Sequence, residues 1–254
     1  MAALLTVCSC FGEADTTSDE AKPQDLPDDA ESAERLIAQG DSYRKGVDCQ
    51  QDDVEAARMY QAAADLGDAV GSHKLAWMFA NGRGVGHADM KQAVYYYELA
   101  ASRGLLASQN NLGAIFRDGR GVPQDYELAR TWFRKAAEKG LAQAMFNLGV
   151  MYAKGHGVER DDKTATGWYQ GAADKGLATA QFALANSFAK GEGVARDPAA
   201  AAKWSKRAAD QGHEKAALMY QALQSSGTES RPQPDPVAEK ASSGSGSGIE
   251  EYPA

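Results

Sequence analysis

Between residues 33 and 224 the apolar positions recur at helical spacing rather than strand spacing. Ala144, Leu148 and Tyr152 fall at i, i+4 and i+8, and Ala180, Leu184 and Phe188 repeat the series, so each set lies along one side of a helix. A second kind of stripe, Ala129, Trp132, Phe133, Ala136 and Ala137, follows i, i+3, i+4, i+7 and i+8. We term these helices A and B. A Gly-x-Gly-Val stretch separates A from B, starting at Gly82, Gly119, Gly155 and Gly191, where glycine takes a positive φ at little cost. An Asp then stands at the N-cap position of each B helix. Asp197-Pro198 adds proline at the first helical position, and Asp89 with Gln92 has the spacing of a capping box.

The arrangement is periodic. Gly67, Gly104, Gly140, Gly176 and Gly212 are spaced 37, 36, 36 and 36 residues apart, each at the C′ position that ends a B helix. The fourth unit reads Leu148-Gly149, Tyr152, Gly155-x-Gly157-Val158, Asp161, Ala165, Trp168-Tyr169 and Ala172-Ala173. The third reads Leu112-Gly113, Phe116, Gly119-x-Gly121-Val122, Asp125, Ala129, Trp132-Phe133 and Ala136-Ala137. The fifth keeps the pattern with Trp204, and the second keeps it with Tyr96-Tyr97 and one extra turn residue. The first retains Gly40, Tyr43, Asp52, Tyr60 and Ala63-Ala64 but lacks the second turn glycine. The predicted fold is therefore all-α, an α/α solenoid of about five helix-turn-helix repeats of 36 residues. Their expected limits are 33–67, 68–104, 105–140, 141–176 and 177–212. One such unit cannot bury its own apolar face, and the last needs a polar cap, which Glu214 to Leu223 supplies within residues 213–224.

Leu-Gly-x-x-Tyr-x-x-Gly-x-Gly-Val followed by Asp, Ala, Trp-Tyr and Ala-Ala resembles the signature of the Sel-one-like repeat family, a subclass of the tetratricopeptide-like solenoids. The resemblance covers about residues 33–212. It implies a right-handed superhelix acting as an adaptor or scaffold for protein partners, in signalling, secretion quality control or envelope regulation. A cysteine-rich bacterial branch of the family carries a disulfide in each helix pair and is linked to β-lactam binding. This chain has only Cys8, Cys10 and Cys49, so that branch's properties do not carry over.

Composition explains the packing mode. There are 48 alanines but only 38 Leu, Ile, Val and Phe together, a shortage that disfavours a β-sandwich and suits helices in close contact. No uncharged apolar run is long enough to span a membrane. The net charge of −8 is concentrated at the ends. Residues 1–32 hold eight acids and one base, whereas residues 33–224 hold two more bases than acids. A nearly neutral central domain gives no electrostatic case for nucleic acid. The acidic segment 12–32 and the Pro/Ser/Gly-rich segment 225–254 are expected to be disordered linkers. Residues 1–11 are uncharged and mostly apolar, and Val7-Cys8-Ser9-Cys10 resembles a bacterial lipoprotein signal ending, with Cys10 as the lipid-bearing residue. It departs from that pattern in having no preceding Lys or Arg and only a short apolar stretch. A cytoplasmic location and an envelope lipoprotein are the two alternatives.

Candidate chemistry is sparse. The four histidines, His73, His87, His156 and His213, form no His-x-x-x-His pair and no Cys cluster, so no zinc site is expected. His87 and His156 lie in inter-helix turns and are expected to be solvated. The Gly-x-Gly turns follow helices and lack the Lys-Ser/Thr of a phosphate loop, and no Gly-x-Ser-x-Gly is present. No cofactor and no catalytic residue is predicted. What remains is surface. By resemblance, helix A lines the concave side, with groove-facing positions two before the helix-A Leu, two after it, and one after the Tyr/Phe. These hold His73 and Trp77, Asn110 and Arg117, Phe146 and Val150, and Phe182 and Asn186, with Ala80, Ala114, Ala153 and Ala189 between them. The aromatic members either pack against adjacent repeats or form a peptide groove, with Asn110, Asn186 and Arg117 holding backbone or acidic groups. The expected function is a non-enzymatic scaffold binding another protein or peptide. The alternative is an envelope-associated binder of a small molecule or cell-wall fragment, or a β-lactamase-like enzyme.

Overall fold

A computed structural model describes residues 29–229. Cys10, residues 1–28 and residues 230–254 lie outside the described residues. Eleven helices and no strand occur among the described residues: α1 (Asp29–Lys45), α2 (Asp53–Asp65), α3 (Ala69–Asn81), α4 (Met90–Ser102), α5 (Leu106–Asp118), α6 (Tyr126–Glu138), α7 (Ala142–Lys154), α8 (Asp162–Asp174), α9 (Ala178–Lys190), α10 (Pro198–Ala209) and α11 (Glu214–Glu229). Each consecutive pair from α1/α2 to α9/α10 forms one repeat. Every B helix also packs on the A helix of the next unit, and α11 packs on α10. The result is a helical solenoid with a terminal helix at its C-terminal end.

The local signals act as the spacing predicts. Asp52, Asp89, Asp125, Asp161 and Asp197 each adopt extended backbone and accept hydrogen bonds from the first-turn N–H groups of their B helices. Asp89 accepts from the N–H groups of Lys91 and Gln92. Gly82, Gly119, Gly155 and Gly191 end the A helices in the left-handed region.

Two boundaries differ from the sequence reading. Helix α1 begins at Asp29, inside the segment expected to be linker. The acid Glu31 suits the positive end of a helix dipole, so the first turn forms where composition suggested disorder. Helix α11 continues to Glu229, beyond residue 224. Each added residue contributes a backbone hydrogen bond, and no proline interrupts the chain before Pro232.

The core lies between the A and B layers and is largely alanine. Ala56, Ala63, Ala93, Ala100, Ala129, Ala136, Ala144, Ala165, Ala172, Ala180, Ala201 and Ala208 are fully or almost fully buried. Their size allows the helices to approach closely, and one large residue per contact fills the remaining space. Tyr97, Phe133 and Tyr169 do this from the B helices. Opposite them the A helix carries Ala76, Gly113 or Gly149 directly after its Leu. A Cβ on Gly113 would lie 2.6 Å from the Phe133 ring, and one on Gly149 would lie 2.5 Å from the Tyr169 ring. In the fifth unit the ring is replaced by Ser205, which is fully buried, opposite Ala185.

Candidate partner-binding face

The A helices are linked to one another by side-chain contacts along a single face. Lys74 on α3 donates to Asp41 on α1 at 2.8 and 3.1 Å. His73 on α3 meets Ser108 on α5, with 2.7 Å between Nδ1 and Oγ. Asn147 on α7 donates through Nδ2 to Asn110 Oδ1 on α5 at 2.8 Å. The Phe182 ring on α9 lies 4.7 Å from that of His213, at the start of the terminal helix. These contacts recur because positions one and two before the helix-A Leu return to the same side every repeat.

Three cavities follow one another along this face. The first, about 350 Å³, is lined by Arg44, Tyr60, His73, Lys74 and Trp77. The second, about 460 Å³, includes Arg117, Phe146, Asn147, Val150 and His156. The third, about 580 Å³, includes Phe146, Tyr169, Phe182, Asn186 and His213. Phe146 borders both the second and the third. Seven of the eight residues placed on this face by the sequence therefore line a cavity. The eighth, Asn110, is hydrogen-bonded to Asn147 in the second cavity's wall.

The aromatic stripe is half-buried. Trp77 packs on the core of the first two units, and Phe146 and Val150 pack on that of the last two. Phe182 is not among the side chains packed on those cores. Packing between repeats and exposure to the groove are thus shared by the same residues. Two guanidiniums lie near the Trp77 ring, Arg44 at 5.8 Å and Arg83 at 5.9 Å from its centre. Such contacts hold a flat ring in place without covering it entirely.

The polar members are more constrained than spacing suggests. The Arg117 guanidinium donates to both oxygens of Asp118, at 2.7 and 3.0 Å, so most of its charge is already balanced. Asn186 donates to the carbonyl of Phe182 on its own helix at 3.0 Å. His73 sits edge-on to Tyr97, and burial followed by the positive charge of Lys74 holds its pKa below the usual histidine value. Burial opposes the charge on Asp41, but hydrogen bonds from Lys74 and Tyr60 outweigh it and keep the carboxyl below its ordinary pKa. Burial, then the charges of Asp162 and Glu192, push the Tyr169 phenol up to about 12.

His156 corrects a sequence expectation. It is not a freely solvated turn residue. Its ring stacks on Tyr126 at 4.8 Å, and its Nδ1 is buried without a hydrogen-bond partner. The backbone of a Gly-x-Gly turn is exposed, but the ring between the glycines folds onto the B helix of the preceding unit. Arg44, Lys74, Asn147, Tyr169 and His213 are cavity-lining residues absent from the sequence-derived set. Arg44 had a signal: it stands one residue after Tyr43, which is the position of Arg117 relative to Phe116. Leu218, which is 66% exposed, could also have been found. It lies 36 residues after Phe182, as Phe182 does after Phe146.

Among the described residues no three His, Cys, Asp or Glu side chains are grouped to hold a metal ion. No helix among them is long and apolar enough to cross a membrane.

The architecture defines an α/α solenoid presenting an extended, cavity-lined face. Within that class, the Sel1 repeat model matches residues 32–68, 69–105, 106–141, 142–177 and 178–213, and the chain belongs to the Sel1-repeat family. Proteins of this family are generally protein-interaction scaffolds on a fold that is generally non-catalytic. The solved Sel1 repeat protein of Oxalobacter formigenes is 30% identical, with 75% of this chain and 76% of that one covered and a TM-score of 0.69. The structure of c5321, described as a protective antigen of uropathogenic Escherichia coli with an SLR fold, is 31% identical with a TM-score of 0.73. That match covers 80% of this chain but only 43% of the E. coli one. PilF of Pseudomonas aeruginosa, at 16% identity and a TM-score of 0.58, shares the fold alone. No curated protein matches the chain in sequence.

Proposed function

We propose that the chain is a non-enzymatic adaptor that holds an extended segment of a partner protein along α3, α5, α7 and α9, on the concave face of the solenoid. The observation that carries this reading is the series of three cavities on one face, the second and third of which share Phe146. A peptide laid along it would bury apolar side chains against Trp77, Phe146, Val150 and Phe182. Such an extended binding mode draws affinity from several modest pockets rather than one deep one. Asn110 and Asn186 would offer their remaining amide groups to a bound main chain.

Affinity capture with mass spectrometry, comparing the wild type with Trp77→Ala plus Phe146→Ala, tests the proposal. The double variant should lose captured partners by about tenfold or more, consistent with loss of two aromatic anchors, while its helical circular dichroism stays unchanged. Undiminished capture would show that binding lies elsewhere. Saturable turnover of nitrocefin by the pure protein would overturn the non-enzymatic part.

A further inference from the structure

We infer that this groove is bipartite: its N-terminal end takes an acidic side chain of the partner, and its C-terminal end takes an apolar one about ten to twelve residues away. The inference rests on the groove reading and specifies what that groove selects.

The N-terminal cavity is cationic because one guanidinium in it is uncompensated. Lys74 is balanced by Asp41 at 2.8 Å, Arg83 by Asp53 at 2.8 Å, and Arg117, farther along, by Asp118 at 2.7 Å. No ion pair among the described residues engages Arg44. Arg44 lies beside the Trp77 ring and hydrogen-bonds the neutral Tyr60 phenol, in a cavity of about 350 Å³. A planar guanidinium is suited to a carboxylate, which it can meet with two parallel hydrogen bonds. His73, on the same wall, is held toward its neutral form by burial and by Lys74, so it adds a hydrogen-bonding ring rather than charge.

The C-terminal cavity has the opposite character. Its charged residues balance in sign, two acids (Asp162, Glu192) against two bases (Lys190, Lys215), and Lys190 faces Glu192 at 3.8 Å. Its floor is aromatic, with Phe146 5.7 Å from Tyr169 and Phe182 4.7 Å from His213. From Arg44 on α1 to Phe182 on α9 there are four steps between A helices. At roughly 8–10 Å each they span roughly 32–40 Å. An extended chain covers that in about ten to twelve residues.

Selection of displayed random peptides of about 16 residues on the full chain tests this, since that length exceeds the required spacing. The enriched pool should pair Asp or Glu with an aromatic or branched apolar residue about ten to twelve positions away. With Arg44→Gln as bait, the acidic preference should fall by about tenfold while the apolar preference stays. With Phe182→Ala, the converse should hold. Circular dichroism of both variants should match the wild type. A pool without acidic preference, or one whose acidic preference survives Arg44→Gln, overturns the bipartite assignment and leaves the groove reading standing. No enrichment at all overturns both. Convergence on the sequence of residues 12–32 would make the chain's own acidic segment the occupant. A dimer that Arg44→Gln dissociates would make the occupant a second copy. Either result overturns assignment to a separate partner.

Discussion

At the scale of single residues, glycine performs two different tasks that look alike in the sequence. The second glycine of each Gly-x-Gly turn rests against the first turn of the preceding unit's B helix. A Cβ on Gly193, at φ 72, would lie 2.0 Å from the carbonyl oxygen of Asp162, and one on Gly84, at φ 70, would lie 1.9 Å from that of Asp53. Backbone cannot swing aside as a side-chain tip can. Gly176, at φ 89, has no atom within 4 Å of its notional Cβ, so only the backbone conformation matters there. We expect Gly193→Ala to cost about 3–5 kcal/mol and Gly176→Ala about 1–2 kcal/mol in urea unfolding. Equal losses would show that the turn makes no such contact.

His73 makes the other residue-scale prediction. Its folded pKa lies below the unfolded value of about 6.5, so between the two the unfolded chain binds more protons. Stability should therefore fall as pH drops through about 6.5 and stop falling on this account below the folded pKa. His73→Gln should remove that part of the pH dependence. Parallel stability curves for variant and wild type from pH 8 to 5 would refute the assignment.

Among whole elements, the two helix types begin differently. B helices start with an Asp cap, whereas α5, α7 and α9 start after Leu105, Leu141 and Leu177, with no side-chain cap. Leu141 and Leu177 pack against the cores beside them instead. Helix α3 differs from α5, α7 and α9, because Asp68 accepts from the N–H groups of Val70 and Gly71, both at 2.7 Å. Asp68→Ala should cost about 1 kcal/mol, measured by denaturant unfolding. Helical pairs and their order were legible from Leu, Gly, Asp and Ala spacing because those positions serve local geometry. The binding face was only half legible. Trp77, Phe146 and Phe182 stand where spacing puts them, but nothing in the spacing shows that Asp118 occupies Arg117 while no ion pair among the described residues engages Arg44. Ion pairing depends on which rotamers converge, even for adjacent residues such as Arg117 and Asp118.

For the molecule as a whole, each unit contacts only its neighbours, so end effects matter. Helix α11 buries Ala216 completely and packs Met219 against the last core. Ending the chain after residue 212 should lower stability by about 3 kcal/mol, as expected from re-exposing this surface. It should also raise binding of a hydrophobic dye. An unchanged urea midpoint would show that α11 does not cap the array.

The sequence by itself determined the repeat, the two helices of each unit, their turns and their caps. These follow from local backbone geometry, which glycine, aspartate and alanine periodicity report directly. Tertiary structure alone decided which side chains of the A layer converge. The three cavities, the stacking of His156 on Tyr126 and the uncompensated charge of Arg44 arise from contacts between units. Those contacts depend on how helices are stacked in space, and a periodic sequence specifies that stacking without displaying it.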